Sequence, residues 1–144
     1  KVTMSDYNIL QALRGIYATA ATTTSTNTAY IDPPESFSPY GQSLWFDEMF
    51  IPATSESLGK TKQSSDSDRG VYQITVYTPV DVGDYGKSMS DAVSAIKAVF
   101  YNGASNVYQG QKVDIIEVTA QGQSENEAWV RRIISINYLT FSTR

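Results

Sequence analysis

Hydrophobic and polar positions divide this chain into segments of two different periods. Between residues 5 and 20, Ile9, Leu13, Ile16, Tyr17 and Ala20 recur at steps of three and four, which predicts one amphipathic helix capped by Ser5 or Asp6. Gly15 weakens that helix, by about 1 kcal/mol relative to alanine. A second helix is expected from Tyr85 or Lys87 to Tyr101, with Asp84 as its cap and Met89, Val93, Ile96 and Phe100 on one face. Asn102-Gly103 supplies the left-handed residues that let it stop.

Elsewhere the period is two. In Arg69 to Tyr77, the side chains of Tyr72, Ile74 and Val76 point one way and those of Val71, Gln73, Thr75 and Tyr77 the other, with Pro79 closing the strand. Ser43 to Ala53 alternates in the same manner, Leu44, Phe46 and Phe50 against Trp45, Asp47 and Met49, until Pro52 ends it. A short strand is expected at Ala29–Ile31, and two more at Val107–Tyr108 and Lys112–Ala120 around a Gln109-Gly110 turn. Trp129 to Phe141 is the longest strand. Val130, Ile134, Ile136 and Tyr138 lie on one face and Trp129, Ile133, Leu139 and Phe141 on the other. A strand apolar on both faces is either central in its sheet or covered by another subunit.

Three stretches are polar. Ala20–Thr28 is almost wholly Ala, Thr, Ser and Asn and reads as a linker or surface loop; Gln121–Glu127 reads as a turn. Residues 54–68 are polar except for Leu58 and read as a long flexible loop or an extended hairpin. Helix, strands, strand, helix, strands in that order define a single α+β domain over residues 1–144, with a mixed, mainly antiparallel sheet and two helices packed on one face. A domain near this size buries roughly 68–70% of its unfolded surface and folds without staples.

Composition removes most chemistry. The chain has no cysteine and no histidine, which excludes disulfides, thiolate nucleophiles, Cys/His zinc sites and every Ser-His-Asp or Cys-His arrangement. A net charge of −4 argues against a nucleic-acid binder that relies on a basic surface. No apolar run approaches the roughly 18 residues of a membrane helix. The opening residues carry no basic-then-apolar signal, so neither membrane insertion nor secretion is expected.

The remaining motifs fail on spacing or context. Gly59-Lys60-Thr61 resembles the end of a phosphate loop, but the required earlier glycine is Thr54. Ser57 and Lys60 have the spacing of some acyl-transferring enzymes, without the rigid helix start or buried lysine that the chemistry needs. Asp66-Ser67-Asp68 opens like a calcium loop whose twelfth position holds neither Glu nor Asp. Asp81 and Asp84 are the one candidate pair for a hard cation, although turn formation and capping explain both. Glu125 and Glu127 flank a turn and read as a solvated hairpin tip. No catalytic residue and no cofactor are expected. The 10 tyrosines and 2 tryptophans divide between core packing, subunit contacts and ligand stacking.

The run Arg69-Gly70-Val71-Tyr72-Gln73-Ile74-Thr75-Val76-Tyr77 is followed by an acidic, glycine-containing approach to a helix. The closing Trp129-Val130-Arg131-Arg132-Ile133-Ile134-Ser135-Ile136-Asn137-Tyr138 and the short N-terminal helix complete a pattern that resembles the tail terminator proteins of long-tailed bacteriophages. That resemblance implies a structural virion protein, assembled in the host cytoplasm. It implies a ring, hexameric in the family's manner, that caps the tail tube, stops its polymerisation and meets the head connector. Six copies of a chain with charge −4 would repel DNA phosphates and keep the passing genome from sticking if those charges line the bore. Lys60, Lys62, Asp66 and Asp68, with Arg69, Trp129, Arg131 and Phe141, are the candidate contact residues. The nearest alternative is another ring-forming tail or neck protein, and after that a carbohydrate-binding module using Trp45 and Trp129.

Overall fold

The computed structural model describes residues 6–21, 23, 27–31, 37–57, 65–80, 83, 86–125 and 128–143. Two helices and seven strands follow in the order α1 (Asp6–Tyr17), β1 (Thr28–Ala29), β2 (Trp45–Ser57), β3 (Ser65–Pro79), α2 (Lys87–Val99), β4 (Ser105–Tyr108), β5 (Gln111–Ala120), β6 (Ser124–Glu125) and β7 (Trp129–Thr143). They form one sheet of order β1-β2-β3-β7-β5-β4, with β6 pairing on β7. Among the described residues only β1 and β2 pair in parallel. The sheet is therefore mixed and mainly antiparallel, as the pattern predicts. β7 is central between β3 and β5, so both its edges are paired, while the helices cover only the face that carries Ile134, Ile136 and Tyr138.

Both helices cover the same face. α1 buries Ile9, Ala12, Leu13, Ile16 and Tyr17, and α2 buries Met89, Ala92, Val93 and Ile96. These meet Phe46, Tyr72, Ile74, Val76, Ile134, Ile136 and Tyr138 in one core. The helix start differs from expectation: α2 is capped by Gly86 in the left-handed region (φ 82°) with no side-chain cap. Asp84 and Asp81 lie outside the described residues, as does Ser5. α1 ends at Tyr17, and the chain turns on through Ala20, whose N–H donates to the Tyr17 carbonyl at 3.0 Å. Gly15 has a use that periodicity does not show. A Cβ there would lie 2.5 Å from Asn106 Nδ2, which instead reaches past to donate to the Ala12 carbonyl at 2.9 Å and ties α1 to β4.

The strand boundaries extend well past the expected ones. Pro52 does not end β2: it lies in a bulge where the register shifts between Ile51 and Thr54, and a bulge leaves room for a residue that cannot donate. Beyond it, Thr54–Ser57 pair with Asp66–Arg69, and Ser65–Ser67 pair in turn with Phe141–Thr143. Residues 54–57 and 65–68 are thus hairpin arm rather than loop, and only 58–64 lie outside the described residues. β1 is shorter than expected, Thr28–Ala29. The Gln109-Gly110 turn has φ of 51° and 79°, the doubly positive geometry of a tight two-residue hairpin between Tyr108 and Gln111.

One buried carboxylate organises the layer between α1 and the sheet. Glu48 sits on the inward face of β2, 4% exposed, where its neighbours at that parity are Phe46 and Phe50. Arg14 Nε donates to its two oxygens at 3.0 and 3.1 Å, and Arg14 also pairs with it through NH2. Tyr72 Oη donates to Oε2 at 2.6 Å, and the Ile31 N–H donates to Oε1 at 3.0 Å. Arg14 also stands over the Tyr30 ring, 5.3 Å from its centroid. Burial works against the charge of Arg14, but its hydrogen bond to Glu48 and the charge of that carboxylate outweigh it and hold its pKa above the ordinary value. The Tyr72 phenol is pushed far up by burial first and then by the adjacent Glu48 charge. Burial likewise raises Tyr17, whose hydroxyl shares a 2.6 Å hydrogen bond with Thr28.

Three expectations follow from this packing. A Cβ at Gly70 would sit 2.6 Å from Tyr138 Cζ and 2.8 Å from the Ile51 carbonyl. Gly70→Ala is therefore expected to cost about 1–3 kcal/mol, the range of an overpacked interior; an unchanged urea midpoint would refute the crowding. Tyr72→Phe leaves Glu48 short of one donor and is expected to cost about 1–3 kcal/mol near neutrality. Above the ordinary phenol value of 10.0 the unfolded chain releases tyrosine protons that the folded chain retains, so stability falls as pH rises. The Tyr17→Phe, Tyr72→Phe pair should flatten that alkaline decline in thermal melts, and an equally steep one would contradict it.

Candidate protein interface

With both helices on one side, the opposite face of the sheet has no covering layer among the described residues. Cross-strand register lays it out in rows. Trp45, Tyr77 and Arg131 form the first, then Asp47, Thr75 and Ile133, then Met49, Gln73, Ser135 and Thr119. Ile51, Val71, Asn137 and Glu117 follow, and Arg69 beside Leu139 continues toward the hairpin arm. Met49, Ile51, Ile116 and Phe141 are all exposed large apolar groups. These apolar groups stand among the polar and charged side chains of the same rows and make this face a candidate contact surface.

The first row is closed on itself. Trp45 stacks on Tyr77 at 3.9 Å and 5°, meets Trp129 edge-on at 5.6 Å, and has Phe37 at 5.4 Å. A sugar needs an open ring face, and stacking on Tyr77 uses one face of Trp45, so these rings read as packing. The buried indole N–H of Trp45 finds no acceptor among the described residues. Arg131 Nε donates to Ser124 Oγ at 3.0 Å and fixes β6 against β7. Burial raises the Tyr77 pKa and the Asp47 charge adds to it, while the charge and hydrogen bond of Arg131 pull it back. Asp47 itself is raised, by burial first and by the Glu48 charge second.

Lower on the face, a dent of about 300 Å³ is lined by Arg69, Gly70, Val71, Ile116, Glu117, Asn137 and Tyr138. Ile116 borders it as an extra residue in β5, a bulge between the Ile115–Tyr138 and Glu117–Asn137 pairs.

The candidate contact residues do not form one patch. Arg69, Arg131 and Phe141 are exposed on this outer face, and Trp129 is half-buried in the aromatic cluster. Asp68 is fully buried on the inward side. Asp66 enters through its backbone, paired with Ser57 and Ser142, and Lys60 and Lys62 lie outside the described residues. The residues that the sequence reading passed over are Met49, Ile51, Ile116 and Glu117. The outward parity of Met49 and Ile51 was legible, but the bulge that turns out Ile116 was not. Among the described residues no group of three or more acidic side chains is placed to hold a metal, and no helix is long and apolar enough to cross a membrane.

The fold has a close counterpart in a solved structure, with a TM-score of 0.71 at 20% sequence identity, covering 95% of this chain and 96% of the other. No curated protein matches the chain. The family model of phage tail terminator proteins matches residues 8–138, nearly its whole length. The chain therefore belongs to the phage tail terminator family, and it is a structural protein of a phage tail.

Asp47 supplies a test of how this face is solvated. Its raised pKa means that the folded chain keeps a proton which the unfolded chain loses near the ordinary value of 3.8, so stability declines as pH rises through the window just above it. Asp47→Asn is expected to remove that decline. Unfolding midpoints of both proteins across about pH 4 to 6 measure it, and parallel curves would argue against the shift.

Proposed function

We propose that this chain is a tail terminator acting as a ring, six copies in number, that seats on the last ring of the tail tube, halts its growth and presents the surface that the head connector binds. The observation that carries the reading is the family match over residues 8–138, taken with an apolar sheet face that the chain's own helices leave uncovered. A head-to-tail contact between unlike patches generates a closed ring when the rotation closes, and it gives that face a partner. Each copy brings a net charge of −4, so a ring with its charges toward the bore repels DNA phosphates as the genome passes.

The hairpin of β2 and β3, lengthened by the end of β7, suits contact with the tube or connector. Beyond the bulge its strands are Thr54-Ser55-Glu56-Ser57 and Ser65-Asp66-Ser67-Asp68, and the sequence between them contains Lys60 and Lys62. Negative-stain microscopy of the purified protein should show single rings; long stacked tubes would indicate a tube subunit instead. Replacing residues 58–64 by a two-residue turn should leave ring formation intact and block completion of infectious tails. Normal virions from that variant would remove the arm from the reading.

A further inference from the structure

The chain carries a second apolar patch, and it is unlike the first. Along the free edge of the sheet at β4, Tyr7, Tyr101 and Val107 are 57%, 58% and 56% exposed, respectively. α1 overhangs this edge, with the Tyr7 ring set edge-on to Tyr108 at 6.3 Å. Two exposed charges, Asp6 next to Tyr7 and Lys97 one turn before Tyr101, join no ion pair among the described residues. On the outer sheet face, the dent is flanked by Arg69 and Glu117, which are exposed and equally without an ion-pair partner there. Around it stand Met49, Ile51, Ile116 and Phe141.

We infer that these two patches bind each other between copies: the β4 edge of one chain, with Tyr7 and Val107, docks on the outer sheet face of the next around the Arg69–Glu117 dent. Three features select a second copy as the occupant. Each patch is flanked by one exposed cation and one exposed anion that join no ion pair among the described residues, so Arg69 can be set against Asp6 and Glu117 against Lys97. Each offers several exposed aromatic or aliphatic side chains, the residue types that anchor interfaces. The patches are also distinct, one on the outer face across β2, β3, β7 and β5 and the other at the β4 edge, so one contact leaves the reciprocal patch of each chain free to repeat it. This gives the proposed ring its repeating bond and rests on that reading for its biological use.

The chain has no cysteine, which makes the contact directly testable. Ile51→Cys and Val107→Cys proteins, each checked for native circular dichroism, are mixed and oxidised. The 51–107 disulfide dimer is expected to dominate over 51–51 and 107–107. Arg69→Glu in the Ile51→Cys copy should slow its formation several-fold, and Asp6→Arg in the Val107→Cys copy should restore it. Dominance of the 51–51 dimer, as in a face-to-face pair, or absence of any crosslink, overturns the contact. A chain carrying both cysteines cannot close on itself, because positions 51 and 107 are four strand spacings apart, ~19 Å. Its oxidised ladder should end at a closed hexamer. A ladder that closes at another number, or does not close, overturns the sixfold ring while leaving the contact standing.

Discussion

The buried carboxylate of Glu48 is the constraint on which the layering depends. A charge in the interior is tolerated only when paired and fully hydrogen-bonded. Glu48 meets that condition by drawing on three separate parts of the chain: Arg14 from α1, Tyr72 from β3 and the Ile31 N–H beyond β1. Each donor fixes its own element. α1 must pack with its Arg14 side over β2, β2 must sit next to β3 with inward faces aligned, and the segment after β1 must pass close to the sheet. Apolar burial would hold the helix against the sheet in many rotations; the carboxylate selects one.

That selection has a cost on the other side of the sheet. Because α1 and α2 both stay on the face that holds Glu48, nothing in the described chain covers Met49, Ile51 or Phe141. The residues of the outer face that do not need a partner are those already occupied: Trp45 by Tyr77, Tyr77 by Arg131. The face is thus divided into a finished aromatic end and an unfinished aliphatic end, and the dent lies in the unfinished part.

How much of this was legible in the sequence varies by element. Tyr72-Ile74-Val76 and the two helix faces follow from period alone, and every residue assigned to those inward faces is buried. For residues 54–68 the sequence leaves a flexible loop and an extended hairpin open, since Thr54–Ser57 and Ser65–Asp68 have no apolar alternation; the hairpin forms because β7 runs on past Tyr138 and pairs with Ser65–Asp68, on which Thr54–Ser57 pair in turn. Propensity cannot see a neighbour that is seventy residues away. Glu48 left a faint signal, a carboxylate at the inward parity between Phe46 and Phe50, but nothing local ties it to Arg14. The candidate contacts split for the same reason. Arg69 and Phe141 face outward as their parity requires, while Asp68, next to Arg69, turns into the interior.

The bulges at Pro52 in β2 and at Ile116 in β5 fall at one level, on either side of the β3–β7 pair and beside Gly70. Above that line β3 and β7 continue unbroken from Gly70–Tyr138 to Ser65–Thr143. Tension applied at the tip of the hairpin therefore runs parallel to two adjoining strands and perpendicular to the hydrogen bonds between them. Many bonds must then yield together, whereas peeling from an edge breaks them one at a time. The arm is built to transmit a pull along its strands into the middle of the sheet.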